Sequence, residues 1–304
     1  LEDGVLAMEA LALKLSGVNT DYAPDSAETF LEAVDAINSS STDCVYNIMM
    51  NGKFTVDSVS FVPNGKKTII LTGASAGCLI SSGGGSSALF TIPEGITLIL
   101  DGNAALNGNA GTAVTVDVRG GKLIMKKGAS IQAGMRGGVM VRGGGSFQME
   151  DGEISGNTRP SGGGGGVYVG IGSSFTMQGG SITGNMAELG GGVYVGGSGA
   201  SFTMQGGSIT GNMGELGGGV YVSGSGASFT MQGGVISANR AERGGGVYIE
   251  SGRFVKSGGR VESDNSSFDM ALVYVFDGGK ERINAAGPGV KLDSSRAGQS
   301  GGWE

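Results

Sequence analysis

Apolar and polar residues alternate in short runs along most of this chain, and the runs return at a fixed interval. Val-Tyr-Val begins at Val167, Val193, Val220 and Val247, and a second run recurs with its aromatic ring at Phe175, Phe202, Phe229 and Phe254. The spacing is about 27 residues, which marks a repeat architecture. Within a unit the alternation is strict: Val193 and Val195 flank Tyr194, Phe202 and Met204 flank Thr203, and Ile209 sits between Ser208 and Thr210. Period-2 alternation sends Val, Phe, Met and Ile to one face and Tyr, Thr and Ser to the other. Each unit also carries several Gly clusters, which destabilise helix interiors. The pattern predicts three short strands per unit joined by Gly turns, with successive units stacked so that like residues fall on like. This is an all-β fold, a right-handed parallel β-helix with three sides. One coil buries too few apolar side chains to offset the entropy of ordering it, so its stability rests on its neighbours.

Upstream the cassette decays but stays legible. Val139-Met140-Val141 with Phe147-Gln148-Met149 and Ile154-Ser155-Gly156-Asn157 forms a divergent copy. Weaker copies pair Val114-Thr115-Val116 with Leu123-Ile124-Met125, and Phe90-Thr91-Ile92 with Leu98-Ile99-Leu100; Thr68-Ile69-Ile70-Leu71 marks the earliest expected coil. About eight coils result, a rod of roughly 35–40 Å at the interstrand spacing. The open ends of such a stack need caps. Over residues 26–38, Phe30, Leu31, Val34 and Ile37 form one helical stripe with Asp25 or Ser26 as N-cap, predicting an amphipathic capping helix. Leu6, Met8, Leu11, Leu13 and Leu15 fit a strand or a short helix equally. A strand-like segment at 271–276 and a tail ending in Gly302-Trp303-Glu304 read as a C-terminal cap. The expected organisation is a single domain, with an N-terminal cap at 1–60, repeats at 61–265 and a terminal unit at 266–304.

Composition narrows the partners. Glycine supplies 64 of 304 residues without the every-third spacing of collagen, and its alternation with apolar strands argues against disorder. The formal charge of −7 argues against nucleic acid or an anionic membrane surface, since both need clustered Lys and Arg. No apolar run of about 20 residues predicts membrane insertion. The chain does not begin with Met and shows no leader pattern, which fits either a processed terminus or one introduced by cloning. Its two cysteines, Cys44 and Cys78, fit either a disulfide joining the cap to the first coil or two buried thiols.

The strings Gly-Gly-Gly-Val-Tyr-Val, Phe-Thr-Met-Gln-Gly-Gly-x-Ile and Gly-Asn, covering roughly residues 26–265 with their divergent copies, resemble the Gly-rich β-helix repeats of bacterial cell-surface proteins. Those repeats belong to the pectin-lyase-like superfamily and are similar to polymorphic outer-membrane and autotransporter passenger regions. The resemblance implies an extracellular or surface-displayed bacterial protein, adhesin-like, with neither a defined ligand nor an active site supplied by the family.

Pectin-lyase-like folds also include polysaccharide lyases and glycoside hydrolases, so candidate chemistry must be weighed. The chain has no histidine, which leaves carboxylate, Lys or Arg chemistry. The nearest acidic group is Glu150-Asp151-Gly152-Glu153, with Arg136 and Arg142 about one strand away; a solvated turn is the simpler reading, and a non-enzyme needing no cofactor is expected. Glu188, Glu215 and Glu242 recur once per unit and make a weak calcium candidate against the simpler reading of a hydrated edge. Asn157, Asn185, Asn212, Asn239 and Asn265 form a column read as a structural ladder in a turn, because Asn tolerates left-handed backbone and its amide bonds the copies above and below.

Three outward columns remain for binding. Tyr168, Tyr194, Tyr221 and Tyr248 predict an exposed aromatic stripe that stacks on sugars or seals against a protein; the alternative is that they only stabilise the sheet. Ser174, Thr176, Ser201, Thr203, Ser228 and Thr230 predict a hydroxyl array, with Ser181, Thr183, Ser208 and Thr210 repeating it on another side. Such Ser-x-Thr arrays resemble ice-binding surfaces, although Gln148 and Val235 interrupt the columns. The expectation is a non-enzymatic surface β-helix acting as a rigid spacer or adhesin-like module. Its ligand would be a protein or glycan, and self-association through coil ends or the Tyr face is open to it.

Overall fold

The computed structural model describes residues 20–108 and 113–267, together with the backbone strands Val273–Val275 and Asn284–Ala285. The chain winds into a right-handed parallel β-solenoid of three long sheets, one of eleven strands and two of nine, giving about nine turns. Each is named here for its repeated residue. The eleven-stranded Phe sheet carries Phe147, Phe175, Phe202, Phe229 and Phe254 in one register column. The Tyr sheet carries the Val-Tyr-Val strands and the Ile sheet carries Ile154, Ile182, Ile209 and Ile236. Among the described residues every strand pair in these sheets is parallel, and the cassette strands align residue on equivalent residue. The core is therefore a set of columns. Phe rings stack at 4.7 Å with interplanar angles of 6–7° between Phe147 and Phe229, matching the interstrand repeat of about 4.8 Å. Turns between sheets use left-handed glycine where no side chain fits, as at Gly207 (φ 78°), where a Cβ would also sit 2.7 Å from the Gly180 carbonyl oxygen.

The solenoid begins earlier than the sequence pattern implies. Strand β1 (Thr20–Tyr22) pairs with β2 (Cys44–Met50), and β3 (Lys53–Val56) and β4 (Val59–Ser60) complete a coil inside the segment expected to be only a cap. Its side chains are heterogeneous, so no cassette letter betrays it. Helix α1 (Ala27–Ser39) lies between β1 and β2, opened by a capping box between Ser26 and Thr29. Phe30, Ala33, Val34 and Ile37 are buried, whereas Leu31 is exposed; it lies one residue, about 100° of arc, off the buried stripe. Phe30 touches Phe54 of the Ile sheet (5.6 Å between centroids) and Phe90 of the Tyr sheet (6.4 Å), so α1 covers the end of the core between those two sheets. Lys67, itself buried, donates from Nζ to the Ile37 carbonyl (2.7 Å) and to Asn64, closing the last turn of the helix. Desolvation holds its ammonium below the usual lysine range.

Two further expectations change, and the open question of the cysteines is decided. The strand expected at Val114–Val116 is Val116–Arg119, two residues later, which points Val116 and Val118 inward. Cys44, half-buried, and Cys78, buried, form no disulfide. Cys44 opens β2, while the Cys78 thiol donates to the Met50 carbonyl (3.1 Å) at its far end, about 20 Å away by strand rise and beyond disulfide reach. At the C-terminal side the stack continues, since Val273–Val275 and Asn284–Ala285 extend the Tyr and Phe sheets. The rest of the expected cap, with Trp303, lies outside the described residues, as do the leucines before Thr20. Among the described residues no helix is long and apolar enough to cross a membrane.

Candidate functional site

Outward columns are the only parts of a filled solenoid that a ligand meets, and the structure sorts them. The tyrosines do form a continuous stack: Tyr168 to Tyr194 at 5.0 Å, Tyr194 to Tyr221 at 5.2 Å and Tyr221 to Tyr248 at 5.4 Å, all within 17° of parallel. The expected exposed stripe is not there. Tyr221 and Tyr248 retain only 2% and 3% exposure, and Tyr168 and Tyr194 are half-buried. The rings lie down along the sheet, where a Cβ at Gly163 or at Gly196 would collide with the Tyr194 ring. Each inner ring gives its two faces to its neighbours, so none is left for a sugar. The Tyr221 hydroxyl donates to Glu250 (2.7 Å), which also accepts from Ser223 (2.6 Å). Burial pushes the Tyr194 and Tyr221 phenols up, Tyr221 further through its bond to the Glu250 carboxylate.

The asparagine column is interior. Asn157, Asn185, Asn212, Asn239 and Asn265 are buried, and each amide oxygen from Asn185 onward accepts from both the backbone N–H and the Nδ2 of the preceding asparagine at 2.9–3.1 Å. Every Nδ2 also reaches an isoleucine carbonyl of the Ile sheet at 2.8–3.2 Å. The amides are fully engaged with one another, which leaves a ligand no access.

The Glu column stacks through its backbone only, with Glu215 N–H on the Glu188 carbonyl (2.8 Å) and Glu242 N–H on that of Glu215 (2.9 Å). Glu188 accepts from the Gly162 N–H (3.0 Å), and among the described residues no three acidic or cysteine side chains converge as a metal site. The calcium candidate is therefore not assembled. Nor is the acidic group at 150–153: Glu150 accepts from Gln148, Asp151 from Gly152, and Arg142 belongs to a different site.

That site was not singled out in the sequence. Asp117 replaces tyrosine in the outward column of the Tyr sheet, in register with Met140 and, one coil on, Tyr168. It is 2% exposed and accepts from Arg119 Nε (2.6 Å) and from Arg142 Nε (3.0 Å) and Nη2 (2.7 Å). Asp117 raises the Arg142 guanidinium above its usual range, chiefly by hydrogen bonding. The available signal was the alternation Val116-Asp117-Val118-Arg119, legible only once the strand register is known.

The hydroxyl array keeps its predicted geometry. On the outer face of the Phe sheet Ser174, Ser201 and Ser228 align, as do Thr176, Thr203 and Thr230, all half-exposed. A third column, Gln178, Gln205 and Gln232, is exposed beside them. These nine positions carry no charge. They form a flat grid of about 4.8 Å between coils and 6.6 Å along a strand, bounded by Ser146 and Gln148 before and Arg253 and Val255 after. A shallow open depression lies on the N-terminal coils, lined among others by Lys66, Lys122, Gly120 and Gly144.

Comparison with protein-family models matches residues 112–286 to a right-handed β-helix region. No curated protein and no solved structure matches the chain.

Proposed function

Starting from a chain that belongs to the right-handed β-helix family, a β-helix repeat protein of the pectin-lyase-like kind, we propose that it is a non-enzymatic, surface-displayed bacterial rod. Its Ser/Thr/Gln face grips a neutral polyhydroxylated polymer in adhesin-like fashion, and the stacked coils act as a rigid spacer behind it. The observation that carries this reading is the uncharged grid on the Phe sheet. Hydroxyls and amides both donate and accept, and a rigid strand scaffold holds them in place before binding, which lowers the entropic cost of contact. A repeating polymer gains from a repeating surface, because each additional coil adds an effectively intramolecular contact.

The non-enzyme reading rests on the carboxylates. Glycoside hydrolysis uses two carboxyl groups flanking one bond. Here Asp117 is clamped by two arginines, Glu250 is engaged by Tyr221 and Ser223, and Glu150 and Asp151 are bonded locally.

The test is binding to a panel of immobilised neutral glycans by wild type and by Thr176→Val/Thr203→Val/Thr230→Val. Valine keeps the branched shape and strand preference while removing the hydroxyl. Three lost hydrogen bonds at about 0.5–1.5 kcal/mol each predict binding at least tenfold weaker with an unchanged melting temperature. Equal binding by both proteins overturns the assignment of the face, and unsaturated or new reducing-end products from any glycan overturn the non-enzyme reading. The same in-register Ser-x-Thr columns favour a second reading, ice binding, which thermal hysteresis lost in the triple variant would select.

A further inference from the structure

The tyrosine stack has a head, and the chemistry changes there. Between Arg159 and Gly163 the chain carries two more residues than the partner strand Ala187–Leu189, a bulge with Pro160 and Ser161 exposed at its crest. Bulges re-aim side chains, and this one lays the Arg159 guanidinium 5.3 Å from the centre of the Tyr168 ring. Arg159 makes no ion pair among the described residues, and its Nη1 is buried without a hydrogen-bond partner. The neighbouring Glu188 carboxylate is bonded to the Gly162 N–H instead. Exposed Arg136 stands on the turn beside Arg159, where the next residue, Gly137, donates its N–H to the Thr158 carbonyl (2.9 Å). At the other edge of the same strands stand Arg119 and Arg142, their side chains 55% and 46% exposed, both fixed by Asp117. Arg119 commits only Nε to that carboxylate, which leaves both terminal nitrogens available.

Four guanidiniums thus gather around Met140 and Tyr168 against three carboxylates, buried Asp117 among them, Glu94 on the adjoining turn at Gly120 and Glu188 beside the bulge. This surplus of positive charge stands out in a chain of net charge −7. The two arginine pairs flank strands whose three residue steps cover about 10 Å, so no single small anion bridges them. We propose that this patch binds an acidic polysaccharide, its arginines taking oxyanions carried on successive parts of one chain. Guanidinium forks suit carboxylate and sulfate alike. The patch lies on the Tyr sheet, apart from the hydroxyl grid of the Phe sheet, and stands or falls independently of it.

The experiment uses immobilised carboxymethyl-dextran, dextran sulfate and unmodified dextran at about 0.15 M salt, where long-range attraction is screened. Wild type is expected to bind one or both anionic matrices; which one it prefers separates carboxylate from sulfate. Arg119→Gln/Arg136→Gln leaves Asp117 paired with Arg142 and should weaken binding at least tenfold. Lys53→Gln/Lys127→Gln removes the same charge from exposed sites on other faces and should bind within twofold of wild type. Equal losses in the two double variants would mean generic charge attraction and overturn the site, as would absence of wild-type binding to both anionic matrices. Should the arginine double variant melt lower, Arg136→Gln alone, in an exposed turn, is expected to cost about threefold; no loss there overturns the site as well.

Discussion

The cassette coils from Val139 to Val261 and the earlier coils from Cys44 to Gln132 share three sheets and one parallel register, yet they hold together differently. In the cassette, like meets like: phenylalanines stack within 7° over three successive steps, tyrosines stack beside them and asparagines bond in an unbroken ladder. In the early coils unlike residues interlock. Tyr46, Ile69 and Leu98 succeed one another in one column, and Phe30 of α1 meets Phe54 and Phe90 at tilted or edge-on angles. The difference teaches that the inward and outward alternation specifies the solenoid, while homotypic ladders reinforce its register. It also has a functional side. A ladder turns the bonding capacity of its residues upon itself, so free capacity lies on columns that do not self-pair, and where a ladder starts.

The strongest way to break the contrast is to open the asparagine ladder. Asn212→Ala removes the acceptor of the Asn185 N–H and Nδ2 and the donor to the Ile182 carbonyl. Orphaning these buried groups is expected to cost about 3–5 kcal/mol, read as a lower urea midpoint. Asn47→Ala in an early coil, where the amide meets only the exposed Asp21 carboxylate, should cost under about 0.5 kcal/mol. Equal effects would erase the distinction between ladder and interlock.

Alkaline titration probes both regions at once. Burial, with Tyr46 and Cys44 adding to it, pushes the Tyr22 phenol from 10.0 up to about 12, and Tyr194 and Tyr221 are raised as well. Folded tyrosines hold protons that the unfolded chain releases, so this contribution is complete below pH 10 and is lost as pH rises from 10 through 12. For Tyr22 alone it amounts to about 2–3 kcal/mol. Absorbance near the tyrosinate band should show these phenols ionising only together with unfolding; early, reversible ionisation in the folded protein would refute the buried placement.

The smallest effect concerns an imperfect copy. Ala133 and Ala238 are the described non-glycine residues with positive φ, at 56° and 52°, and both fall in the column otherwise held by Gly156, Gly184 and Gly211. Replacing Ala238 by Gly relieves left-handed strain at some entropic cost and should stabilise by about 0.5–1 kcal/mol. A fall in the melting temperature would count against the strain.

Legibility in the sequence followed repetition. The three-sided solenoid, its register between Val139 and Ile236, the capping helix and the in-register hydroxyl columns all follow from alternation and spacing, because each inward residue is read against a near copy one coil away. The first coil was hidden since Cys44–Met50 and Lys53–Val56 share no letters with the cassette, and their pairing depends on partners such as Lys67–Gly73 that differ in kind. The tyrosines were placed on the correct column but with the wrong exposure. Their rings are covered because Gly163 and Gly196 leave room for them to lie flat, a matter of segments outside the strand. Asp117, Arg119 and Arg159 went unread, and Arg136 and Arg142 were set beside the acidic turn at 150–153 instead, because only coil stacking brings residues 23 to 25 positions apart into adjacent strands.

By itself, then, the sequence determined which residues face in and which face out, since strand periodicity is a local property written in every second letter. Only the tertiary structure decided which outward residues remain available. Availability depends on what the next coil and the next turn do with the same side chain: they consume the tyrosine faces and the asparagine amides, leave the Ser, Thr and Gln grid open, and gather arginines at the head of the stack.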